Sequence, residues 1–140
     1  MIDPTDALTE QFLRVSRRLR RQTMSRIQPL GLNPHLSRAL RVIGEHGPLR
    51  PSELAEKLGI AARSASDSVS GLLAAGWIGR APDTADGRAY RVWLTPSGRA
   101  LLEQVRTIRA EVGREIFGAL DADTREALQT ALSRLTDDPA

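Results

Sequence analysis

Apolar residues recur along this chain with a period that changes twice. Leu8, Phe12, Val15 and Leu19 stand 4, 3 and 4 residues apart, which puts them on one stripe of an α-helix; Met24 and Ile27 extend the set. The spacing predicts a helix from about Pro4 to Gln28, ended by Pro29 and Gly31. Leu36, Leu40 and Ile43 predict a second over about Pro34–His46, stopped by Gly47-Pro48. Pro51 opens a third, with Leu54, Ala55 and Leu58 inward and Gly59 at the left-handed position that ends it. A fourth, about Ala62–Ala75, turns Ala65, Val69, Leu72 and Leu73 inward. The period then drops to two. Trp77–Arg80 and Tyr90–Leu94 read as strands, with Val92 and Leu94 on one face and Arg91 and Trp93 on the other; Asp86-Gly87 marks the turn between them. Helical spacing returns behind Thr95-Pro96, a cap and first-turn proline. Leu101, Val105, Ile108, Val112 and Ile116 carry that helix to about Leu120. Asp121 caps a last helix whose stripe is Leu128, Leu132 and Leu135.

Over Leu49–Gly98 the order is helix, tight turn, helix, hairpin. That is the layout of a winged helix-turn-helix, a module that sets its second helix in the major groove of DNA. The expected fold is mainly α with a small β-hairpin wing: one domain over 1–140, with a winged lobe at 32–98 flanked by dimerisation helices at 1–31 and 99–140. The reading helix falls at about 62–75 and the wing at about 77–94. Buried apolar surface contributes ~25 cal/mol per Å², so the three flanking stripes have reason to be covered. They either pack on one another within a subunit or interleave with a second copy. A two-fold homodimer would offer two reading helices to a palindromic site with half-sites ~34–36 Å apart.

Composition narrows the chemistry. Aromatic residues make up only 4% of the chain, so the core must come from Leu, Ile, Val and Ala, as packed helices allow. Cysteine is absent and the only histidines are His35 and His46, so neither a thiolate nor a His-rich metal site is expected. The sequence has no phosphate-cradling glycine loop and no nucleophile–base–orienter set. The expectation is a non-enzyme without cofactor or metal. No apolar run approaches the ~18 residues of a membrane span, and the acidic, polar first ten residues do not read as a secretory signal. A cytoplasmic location, with no membrane partner, is the expectation.

Charge is unevenly placed. Residues 1–48 carry net +4, 49–99 net +2 and 100–140 net −3; eight arginines and no acid lie between Gln11 and Gly44. Such a field attracts a polyanion, or it is simply a solvated helix face. On the reading helix the face away from the core is Arg63, Ser64, Ser66, Asp67 and Ser70. Serines at 64, 66, 68 and 70 are poor helix formers. Short hydroxyls suit a face that something approaches closely, although a packed domain also tolerates them. Arg63 fits guanine O6 and N7 or a phosphate. Ser64 and Ser66 suit phosphates or bases, and Ser70 a phosphate. Asp67 either accepts from a cytosine amino group or pairs with a neighbouring arginine. At the hairpin tip Arg88 stands two residues from Asp86, whose carboxylate is expected to orient the guanidinium for a narrow minor groove. Arg80 and Arg91 flank the wing as phosphate contacts.

The run Ser52-Glu53-Leu54-Ala55-Glu56-Lys57-Leu58-Gly59-Ile60, then Leu72, Gly76-Trp77-Ile78, Asp83, Asp86 and Arg88, and finally Leu94-Thr95-Pro96-Ser97-Gly98-Arg99, resembles the MarR family of bacterial transcription regulators. The resemblance spans nearly the whole chain, and the wing Asp-x-Arg followed at this distance by Leu-Thr-x-x-Gly is its most specific part. It implies a homodimer that binds palindromic promoter double-stranded DNA, often as a repressor released by a small, frequently aromatic effector. By that resemblance an effector site would lie near Phe12, Leu19, Leu30, His35 and Leu36. Two positions depart from the family pattern. Ala61 opens the reading helix where Ser or Thr is usual, and Asp67 stands where a basic or amide residue is commoner. Absence of cysteine separates the chain from the peroxide-sensing branch, and it lacks the usual ligands of the zinc-sensing branch. The alternative function is a winged-helix module that docks a protein partner and binds DNA weakly or not at all.

Overall fold

A computed structural model describes residues Asp3–Thr136. Its elements are α1 (Pro4–Ile27), a 3-10 turn (Gln28–Leu30), α2 (Pro34–His46), α3 (Pro51–Leu58), α4 (Ala62–Ala74), β1 (Ile78–Pro82), β2 (Tyr90–Leu94), α5 (Pro96–Phe117) and α6 (Ala122–Thr136). The mainly α architecture with one antiparallel hairpin is the expected one.

The helix starts follow from local chemistry. Asn33 accepts the Leu36 N–H at 2.8 Å and Asp121 accepts that of Thr124 at 2.7 Å, each satisfying a donor of a first turn. The bonds from Thr124 hold the Asp121 carboxyl below its usual range. At α3 the Glu53 side chain reaches back to the Arg50 N–H at 3.1 Å. Gly59 ends α3 at φ 64, the left-handed conformation that glycine adopts without steric cost. Ala61, extended at φ −64 and ψ 149, gives α4 no side-chain cap.

The chain divides into two compact units, residues 23–108 and residues 1–22 with 109–140. The first has a continuous core in which Ile27, Leu40, Ile43, Leu54, Val69, Leu72, Val92 and Val105 are nearly or wholly buried. Here α2, α3 and α4 pack together, and the hairpin closes one side with Ile78 opposite Leu94 and Pro82 opposite Tyr90. β1 begins one residue later than the pattern predicts and runs two further, to a proline that ends the ladder. A bridge between Leu49 and Val92 ties the start of α3 to the hairpin.

The Leu94–Gly98 motif joins hairpin to helix. Thr95 donates its hydroxyl to the Gly76 carbonyl at 2.7 Å, Ser97 donates to the same oxygen at 3.0 Å, and the Gly98 N–H returns to Thr95 Oγ1. A Cβ at residue 98 would lie 1.9 Å from the Trp77 carbonyl oxygen. Glycine is therefore needed there for close approach.

The second unit contains the first turns of α1, the end of α5, and α6. Val112 and Ile116 are buried in it. Leu8, Phe12 and Val15 remain 63%, 54% and 43% exposed, and Leu135 is 80% exposed. The stripe predicted for α1 is real as a pattern, but within one copy most of it faces solvent.

Candidate nucleic-acid interface

On α4 the core takes Ala65, Ser68, Val69 and Leu72. That leaves Arg63, Ser64, Ser66, Asp67 and Ser70 exposed on the other side. This is the expected face; the fourth serine of the run, Ser68, is 7% exposed and joins the buried side. Nothing larger than a serine or aspartate projects from this face after Arg63, so a flat or convex surface can approach its backbone.

The wing departs from expectation in what holds it. Asp86 accepts the backbone N–H of Arg88 at 3.0 Å, closing the turn, and no ion pair among the described residues joins the two side chains. The orienting carboxylate is Asp83, just beyond β1. Its Oδ2 accepts from Arg50 Nε at 2.7 Å and from Arg91 Nε at 2.8 Å, and its Oδ1 accepts from the Ala85 N–H at 2.8 Å. The Asp83 side chain is fully buried while Arg50 and Arg91 keep 32% and 46% of theirs exposed. The bond from Arg50, then that from Arg91, holds the Asp83 carboxyl well below the usual carboxylate range, and the same contact raises the Arg50 guanidinium. Arg91 is thus an ion-paired residue of the wing base. Arg80 lies with its guanidinium carbon 5.5 Å from the Tyr90 ring centroid, a cation–π contact along the hairpin. Arg88 is exposed at the tip.

Asp83 and Arg50 are the residues that sequence reasoning missed. Asp83 appears in the motif as one of two acids near Arg88; Arg50, 33 residues earlier, carries no signal of its own beyond preceding Pro51.

The residues suggested for an effector are divided between the two units. Phe12 and Leu19 line an apolar groove of about 390 Å³ with Phe117, Leu128 and Leu132, all in the terminal-helix unit. Leu30 and Leu36 pack against the core of the other unit. His35 is exposed beside Arg38, its Nδ1 3.5 Å from a guanidinium nitrogen.

Comparison with known proteins decides the family. A model described as MarR family matches residues 30–89, which span the 3-10 turn to the wing tip. An HTH-type transcriptional regulator of Mycobacterium bovis is 31% identical over 124 residues, covering 89% of this chain and 84% of the relative.

The chain belongs to the MarR family.

It is a MarR-type transcriptional regulator. Wild-type MarR from E. coli, in its apo form, has the same fold: TM-score 0.81 at 24% identity, over 97% of this chain and 99% of that one. A MepR mutant from S. aureus, solved bound to an oligodeoxyribonucleotide, superposes with TM-score 0.71 at 20% identity, over 91% and 94% of the two chains. Among the described residues no helix is long and apolar enough to cross a membrane, and no group of three or more His, Asp or Glu is placed to hold a metal ion.

Proposed function

We propose that this regulator is a homodimer that binds a palindromic promoter site in double-stranded DNA. The α4 face of Arg63, Ser64, Ser66, Asp67 and Ser70 enters the major groove, and Arg88 on the wing tip enters the adjacent minor groove. Arg80 and Arg91 flank the wing near phosphates, with Asp86 shaping the tip. The observation that carries the reading is an uncovered α4 face of small polar residues beside a hairpin that ends in an exposed arginine. The oligonucleotide bound to the structurally similar MepR mutant supports the same partner. The exposed apolar stripe of α1 supports a second copy as the other partner. Family membership extends the proposal to repression relieved by a small, aromatic effector.

The test is titration of labelled duplex from the region upstream of the protein's own gene. Arg88→Ala is expected to weaken binding at least tenfold, a loss of ~1.4 kcal/mol, while leaving the melting temperature unchanged, because the side chain is exposed and makes no described ion pair. Unchanged affinity would remove the wing from the interface. Failure of the wild-type protein to bind any fragment would return the module to a protein-docking role.

A further inference from the structure

Two guanidinium groups meet on one buried carboxylate oxygen. Asp83 Oδ2 takes both Arg50 Nε and Arg91 Nε. One buried carboxylate thus gathers two cations at a fixed place. Two further acids stand close by, Glu53 accepting the Arg50 N–H and Asp86 the Arg88 N–H; both favour the charged Arg50, but neither is bonded to either guanidinium. Each arginine is held at Nε, the described bonds leave its terminal nitrogens unengaged, and both side chains are partly open to solvent. A guanidinium fixed at Nε by a buried partner offers its remaining N–H groups in a set direction, with less side-chain entropy left to lose on binding.

We propose that Arg50 and Arg91, gathered on Asp83, form a binding site for a phosphodiester group. Its terminal N–H donors face one phosphate oxygen pair, and Asp83 is the positioning residue that brings them together. The proposal rests on the DNA-binding reading for its source of phosphate, the backbone beside the groove that the wing enters. It adds α3, through Arg50, to an interface otherwise made by α4 and the wing tip. Such a contact sets register and strength without reading sequence.

DNA binding by the full-length wild-type protein and by Arg50→Gln and Asp83→Asn is to be measured across a salt series, on the operator and on an unrelated duplex of equal length. Arg50→Gln is expected to weaken both duplexes by the same factor, and to reduce the slope of log affinity against log salt by ~0.9 for each phosphate that is no longer neutralised. Asp83→Asn makes the protein more positive, so bulk electrostatics predicts tighter binding; the proposal requires weaker binding, because the two guanidiniums lose their common anchor. An unchanged salt slope in Arg50→Gln, or tighter binding in Asp83→Asn, overturns the site while the wild-type operator binding stands.

The arginine Nε–H NMR signals, followed during a titration with inorganic phosphate, separate the site from the DNA reading. Saturable shifts of Arg50 and Arg91 in the wild type, abolished in Asp83→Asn, are expected. They would uphold the anion site even if no duplex bound and its phosphate came from another source. Absence of shifts in the wild type overturns it.

Discussion

Ala61 leaves the first turn of α4 with donors that no side chain satisfies. The backbone there is already extended, as a capping residue requires, so a serine hydroxyl at 61 would reach the N–H groups of the second or third helical residue without rearrangement. Ala61→Ser is expected to stabilise the protein by ~1 kcal/mol, a rise in melting temperature of about 4 °C, checked by thermal unfolding. An equal or lower midpoint would mean that this turn is satisfied by other means. The missing cap was legible in the sequence because capping is decided within four residues. Asp83 was not. Its partners stand 33 and 8 residues away, and no local rule joins them. Asp86 looked like the orienting carboxylate because it is two residues from Arg88. At that spacing in a tight turn, however, the backbone N–H is the nearer donor, and it takes the aspartate.

The hairpin shows the same division at the level of an element. Its existence and the facing of Val92 and Leu94 followed from alternation, and its turn from Asp86-Gly87. Its attachment did not, since a two-stranded ribbon is only marginally stable alone and its anchors come from outside it: the Leu49–Val92 bridge and the arginine that precedes α3. This attachment should be acid-sensitive in a defined direction. The Asp83 carboxyl is held below its usual range in the folded state, whereas in the unfolded chain it takes up a proton near pH ~3.9. Its contribution is therefore complete above that pH and declines as pH falls toward the lower folded value. Asp83→Asn lacks this contribution. The stability difference between wild type and Asp83→Asn, from urea unfolding at a series of pH values, should be constant from pH 7 to about 5 and shrink below about 4. A difference that stays constant down to pH ~3 would show that the carboxylate does not hold the wing through its charge.

For the whole molecule the decisive surface is the one that a single copy leaves open. Leu8, Phe12 and Val15 occupy successive turns of α1, and Phe12 also lines the groove with Phe117, Leu128 and Leu132. Periodicity alone allowed this stripe two destinations, packing within the subunit or against another. Its exposure in the single chain favours the second. The proposed DNA site makes the same demand from a different direction: a palindrome is read by two lobes linked in one particle, and linkage raises affinity by ~10²–10⁴ over one lobe alone. Phe12→Glu puts a charge where the second copy would sit, at a position exposed enough in the single chain for the fold of each copy to survive. The expected result is a monomer in sedimentation equilibrium, with unchanged helical content by circular dichroism. Its affinity for a full palindrome should drop about 100-fold, to that of a half-site. The winged lobe itself is untouched, so half-site affinity should match that of the wild type. If Phe12→Glu stays dimeric, the stripe of α1 is not the seam. If it becomes monomeric yet holds the full palindrome as tightly as before, the two lobes do not act together on DNA.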